Sequence, residues 1–141
     1  MGRLPLNGRE PKPLSGEPEM PKHLDREARR EWKRLVPILF AMGVLTEADG
    51  IALSILCQAY STLIQAQRLM MKQSAAGNPA LLMKTPSGYA QQSPLLGIIN
   101  VQMEIINRQL REFGLTPASR SRIVANTEMG GVDPIEAQLC G

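Results

Sequence analysis

Polar and apolar positions alternate with a helical period along most of the chain, and one stretch inverts the usual balance. From Thr46 to Lys72 the sequence reads TEADGIALSILCQAYSTLIQAQRLMMK. Ser54, Gln58, Ser61, Thr62, Gln65, Arg68 and Lys72 recur at helical spacing as one narrow polar stripe, and nearly everything else is apolar. A helix on the surface of a monomer shows the reverse, an apolar stripe on a polar body. The pattern predicts one long helix, a rod of roughly 40 Å, covered on more than one side by its own chain or by copies of it. Thr46 is its N-cap, with Asp49 in the place of a capping-box Glu. Gly77-Asn78-Pro79 stops it.

Ahead of the rod, Asp25 caps a shorter helix in HLDREARREWKRLVPILFAMG. Leu24, Ala28, Trp32, Leu35, Leu39 and Met42 make one apolar line along it. Pro37 predicts a break or kink, with Ile38 to Met42 as a separate turn, and Gly43 ends the element. Behind the rod, two turn signals bracket Leu81 to Thr85 and predict a small two-strand flap or ordered loop. Such a hairpin is marginal alone, so it is expected to rest on the helices or on a neighbouring subunit. Ser93 and Pro94 open a third helix that runs to Gly114. Its seam is Ile99, Met103, Ile106, Leu110 and Phe113, widened by Leu95, Ile98, Val101 and Ile105. Thr116 and Pro117 then open a short helix carrying Arg120 and Arg122. The expected fold is mainly α: a long antiparallel helical hairpin with a short N-terminal helix and a small flap. Spare apolar surface on both long helices points to self-association.

Composition sets the ends apart from this body. Residues 1–21 are rich in Pro and Gly, carry Arg3, Arg9 and Lys12, and read as a flexible basic arm. Residues 22–124 hold the helices, and residues 125–141 read as a flexible acidic tail. All 16 Lys and Arg lie at or before Arg122, against 10 of the 13 acids, so residues 1–122 carry 16 − 10 = +6 and the remainder −3. A basic body suggests an anionic partner such as nucleic acid. The candidate contacts are Arg26, Arg29, Arg30, Lys33 and Arg34 on the first helix, with Arg120 and Arg122 on the last. Trp32 lies on the apolar line and reads as a core anchor, not a base-stacking residue. The start of the chain has no apolar region of a signal peptide, and no apolar run is long enough to span a membrane. Cys57 and Cys140 give no disulfide framework, which fits a reducing compartment.

Catalytic chemistry is not legible. There is no phosphate-binding glycine loop, no HExxH and no nucleophile elbow. His23 has no ligand or triad partner at a useful spacing, and no cofactor or metal site is expected.

Several ordered pieces resemble the P27-type small terminase subunit of tailed, double-stranded DNA bacteriophages. They are Pro21 to Leu24 with Trp32, Leu35 and Pro37, then Gly43-Val44-Leu45-Thr46 and Asp49. Tyr60 follows, then Thr85-Pro86-Ser87-Gly88-Tyr89 to Gln92-Ser93-Pro94. Phe113-Gly114-Leu115-Thr116-Pro117 with Ser119-Arg120 completes the set. The resemblance covers about residues 20–124. It implies a viral DNA packaging factor in the host cytoplasm, with no catalytic site of its own. Such a subunit binds double-stranded phage DNA, assembles as a homo-oligomeric ring and regulates a large subunit carrying ATPase and nuclease activities. Many other small terminases carry a helix-turn-helix domain. None is legible here, because the long helix is too apolar to read a groove. Two other classes fit the residues alone: a helical oligomeric adaptor that binds only protein, and a small transcriptional regulator acting as a dimer on DNA.

Overall fold

The computed structural model describes residues 16–130. The greater part of the arm, residues 1–15, and the tail residues 131–141 lie outside that range. Helix α1 spans Arg26–Ala41, and a 3-10 turn spans Glu47–Asp49. Helix α2 spans Gly50–Ala75, strands β1 and β2 span Leu82–Lys84 and Ala90–Gln92, α3 spans Pro94–Glu112, and α4 spans Pro117–Gly130. Both α1 and α3 pack along α2.

Helix α1 is one piece. The break expected at Pro37 does not occur, and the helix runs through the proline to Ala41. Proline removes one amide donor from the ladder. Here the apolar line holds the helix together across that gap. Leu24, Ala28, Trp32, Leu35 and Leu39 are all buried, with Trp32 only 4 % exposed, as a core anchor should be. Residues on both sides of Pro37, Val36 and Leu39, belong to the same core as Leu53, Leu56 and Cys57 of α2. Packing of an amphipathic face outweighs a local propensity.

The rod begins later than its N-cap suggests. The Asp49 carboxylate accepts hydrogen bonds from the Thr46 amide at 2.8 Å and the Thr46 hydroxyl at 3.1 Å. The Asp49 amide in turn donates to the Thr46 carbonyl at 3.0 Å; this cap organises the 3-10 turn, and the α-helical ladder starts at Gly50. Just upstream of α1, Pro18 is buried and Met20 packs against the core.

Helices α1, α2 and α3 close in the same way, each with a glycine one position past the cap. At the end of α3, the Gly114 amide donates to the Arg111 carbonyl at 3.2 Å and the Leu115 amide to the Leu110 carbonyl at 2.8 Å. This is the double closure of a Schellman motif. Gly114 has φ +71°, and a Cβ there would run into the Ile123 side chain. The glycine thus ends α3 and lets α4 dock through Ile123. Gly114→Ala should cost about 1–2 kcal/mol from the left-handed backbone, with the clash added. Urea unfolding of the full chain measures it.

The flap is a true antiparallel pair, with Leu82 opposite Gln92, Met83 opposite Gln91 and Lys84 opposite Ala90. All six strand residues are exposed. Within one chain, therefore, the flap does not bury its strands on the helices. Helix α4 continues to Gly130, into the stretch that reads as tail. Its start is fixed by Thr116 and Ser119. The Thr116 amide donates to the Ser119 hydroxyl at 3.1 Å, and the Ser119 amide to the Thr116 hydroxyl at 3.2 Å.

Candidate nucleic-acid interface

The N-terminal half of α1 turns one face to solvent. Arg26, Arg29, Arg30 and Lys33 line a shallow open depression there. Each lies three or four positions from another, so they share that face by helical spacing. Their side chains are not equally available. Arg29 is committed to the fold: its Nε donates to the Leu24 carbonyl at 2.8 Å and its Nη2 to the Lys22 carbonyl at 2.7 Å. It holds the segment leading into α1. Arg30 lies 3.7 Å from Glu27, whose other oxygen lies 3.5 Å from Arg68 on α2. That exposed pair is worth little and yields easily to a phosphate. Arg26 and Lys33 make no ion pair among the described residues, which leaves their charges to solvent.

Arg34 leaves this group. It forms a two-toothed pair with Glu31, its Nε donating to Oε2 at 3.0 Å and its Nη2 to Oε1 at 2.5 Å. The bond to Glu31 pushes the guanidinium pKa up, against an opposing effect of burial. Arg34 and Glu31 border a different depression, floored by Leu35, Leu56, Ile106 and Leu110. Of the first-helix cations that the sequence singles out, four converge and Arg34 does not.

The last helix splits its arginines, as a spacing of two requires. Arg120 folds back, its Nη1 donating to the Leu115 carbonyl at 3.3 Å. Arg122 meets Arg108 and Arg111 of α3, and together they line an open cleft with Glu112 and Ser119. None of these three arginines lies within ion-pair distance of a carboxylate among the described residues. Helical periodicity puts Arg108 and Arg111 on the polar stripe of the third helix and goes no further. One sequence signal does bear on them: they sit within two turns of Gly114, the glycine that folds α4 back towards α3. Three cations against the one carboxylate of Glu112 leave the cleft net positive, which favours an anion. Arginine suits phosphate in particular.

Other candidate chemistry is absent or spent. Among the described residues no group of three or more His, Cys, Asp or Glu comes together that could hold a metal ion. Burial pushes the Cys57 thiol up to about 12; Glu31 adds to this and Arg34 opposes it. Cys57 is thus a small apolar core residue, not a nucleophile. No helix among the described residues is long and apolar enough to cross a membrane.

These features define a small helical protein with two exposed arginine patches and much uncovered apolar surface. Its family follows from the sequence. The family model of the phage terminase small subunit matches residues 28–129, and the chain belongs to that family. No curated protein and no solved structure matches it. Membership gives the chain a role in phage DNA packaging, in a family whose small subunits are generally non-catalytic.

Proposed function

We propose that this chain is a P27-type small terminase subunit that binds double-stranded phage DNA, assembles as a homo-oligomeric ring and regulates the terminase large subunit in the host cytoplasm. In this reading α2 and α3, joined by the flap, form an antiparallel hairpin that builds the ring wall. Residues 22–124 are the working domain, between the arm 1–21 and the tail 125–141. Of the candidate cations Arg26, Arg29, Arg30, Lys33, Arg34, Arg120 and Arg122, its DNA-facing ones are Arg26, Arg30, Lys33 and Arg122, with Arg108 and Arg111 added. Arg29, Arg34 and Arg120 act mainly by holding local structure, because each already has a partner in the fold.

One observation carries the DNA reading: two exposed arginine patches, on α1 and between α3 and α4, in a family that packages DNA. The apolar surface supports the assembly. Ile51 and Met71 of α2, Ile98, Val101 and Met103 of α3, and Tyr89 of the flap are all exposed, and copies of the chain could cover them.

The test is binding of the full chain to a duplex, across a salt series, alongside its native mass. The expected result is a closed assembly of many copies whose DNA affinity falls steeply as salt rises. No affinity at low salt would return the adaptor reading. A dimer that prefers a short two-fold operator would return the regulator reading.

A further inference from the structure

Two apolar surfaces of this chain, one projecting and one recessed, are open to solvent. One is the flap. The Ser93 amide donates to the Leu81 carbonyl and the Thr85 amide to the Tyr89 carbonyl, each at 2.8 Å, so the ladder extends past the strands at both ends. Strand alternation and register then put Leu81, Met83 and Tyr89 on one face, interspersed with Thr85 and Gln91. Leu81, Met83 and Tyr89 are 57, 47 and 75 % exposed. The other surface is the depression where α1, α2 and α3 meet, with a volume of about 420 Å³. Its floor is Leu35, Leu56, Ile106 and Leu110, and Glu31, Arg34 and Tyr60 supply polar atoms at its edge.

We infer that the flap of one copy seats in this depression on the next copy. The inference rests on the oligomeric part of the function proposed above, and names the contact that builds it. The chain's own flap cannot reach. From Tyr60 to Ala75, α2 runs 15 residues, roughly 22 Å, and from Pro94 to Ile106 α3 runs 12, roughly 18 Å. Folded straight back, the flap carries Tyr89 only about 13 Å from its base at Leu81. A second copy has no such limit.

The chemistry matches as well. A two-stranded ribbon is marginal in water unless its apolar face is covered. A buried tyrosine needs a partner for its hydroxyl, and Glu31 and Arg34 at the edge offer both an acceptor and donors. The two surfaces differ, so the contact is head-to-tail. Such contacts close into rings when the rotation allows, and do not stop at a two-fold dimer.

The experiment uses the full chain with Ile38→Cys and Tyr89→Cys together in a Cys140→Ser background, under mild oxidation. Ile38 lines the depression and Cys57 is buried. A ladder of covalent multimers on a denaturing gel is expected, and neither single variant should give it. In parallel, Leu81→Ser, Met83→Ser and Tyr89→Ser combined should lose the assembly and keep the helical circular dichroism. Wild-type native mass is the reference. An intact assembly that gives no ladder and survives the triple substitution overturns the flap contact and leaves the ring reading standing. A wild-type chain that stays monomeric overturns both. With Cys140 restored, an Ile38→Cys chain that links to its own Cys140 would give the depression to the tail, and would also overturn the inference.

Discussion

Asp25→Ala should destabilise the chain by about 2–4 kcal/mol, the largest loss expected from any single polar side chain in it. Asp25 caps α1, its Oδ1 accepting from the Ala28 amide at 3.0 Å. The same carboxylate gathers the polar stripe of α2. Oδ1 accepts from the Ser61 hydroxyl at 2.6 Å, and Oδ2 from Nε2 of Gln58 at 2.9 Å and of Gln65 at 3.1 Å. Ser61 is fully buried. Removing the carboxylate therefore loses a cap worth about 1 kcal/mol and leaves the buried Ser61 hydroxyl and the half-buried Gln58 amide without that acceptor. Against a total stability of about 5–15 kcal/mol this is a large fraction. Asp25→Asn should cost less, because it keeps one acceptor oxygen. A double-mutant cycle with Ser61→Ala should show coupling between α1 and α2, since the two residues share a hydrogen bond.

The same network sets an acid limit. Burial pushes the Asp25 carboxyl up, but the hydrogen bonds from Ser61, the Ala28 amide, Gln58 and Gln65 outweigh it and hold the pKa at about 2, below the ordinary 3.8. A pKa lowered on folding means that the unfolded chain binds the proton more tightly. The stabilisation is fully present above about pH 4 and is lost as pH falls towards 2. Melting temperatures of wild type and Asp25→Ala should differ most above that window and converge through it.

This hub also shows where sequence reading stops. The stripe from Ser54 to Lys72 is visible at helical spacing. In the single chain Ser54 and Ser61 at its start are buried and Gln65, Arg68 and Lys72 at its end are exposed, while Ile51, Ile55 and Leu69 of the apolar body face solvent. Periodicity gives the angle between faces but not the identity of what covers each. That Gln58 and Ser61 turn towards α1 depends on one capping carboxylate lying in reach of them, 33 and 36 positions earlier in the chain. Helix starts are legible wherever a side chain caps locally, as at Asp25 and Ser93. Pro37 misleads because its local cost is smaller than the burial on both sides of it.

The cations are legible as a set, and their grouping is not. A helical face predicts that Arg26, Arg29, Arg30 and Lys33 share a side, and they do. It cannot predict that Arg29 spends its guanidinium on the Lys22 and Leu24 carbonyls, because those contacts depend on the path of an irregular segment. Nor can it bring Arg122 to Arg108 and Arg111, which needs the turn at Gly114. The consequence for experiments is direct. Substituting Arg29 mixes a folding defect with any loss of binding, whereas Arg26, Arg30 and Lys33 report on the exposed face.

Neutralising Arg108, Arg111 and Arg122 together to Gln should flatten the salt dependence of DNA binding and leave the fold intact. Every phosphate that the protein no longer neutralises takes about 0.9 off the slope of log affinity against log salt, so the three should lower its magnitude by about 2.7. Arg26→Gln, Arg30→Gln and Lys33→Gln combined should act the same way if the α1 face also meets the backbone, with Arg30 giving up only a weak pair with Glu27. Affinity should fall for all duplex sequences alike, because phosphate contacts carry no base information. The α3–α4 set should leave the stability of the free chain unchanged. Its guanidiniums make no ion pair among the described residues, so glutamine removes no salt bridge from the fold. A salt slope unchanged by the α3–α4 set, with the melting temperature maintained, would assign the cleft to some anion other than duplex DNA. Unchanged slopes for both sets would remove these two patches from the DNA interface and turn the search to the other cations, first the basic arm with Arg3, Arg9 and Lys12.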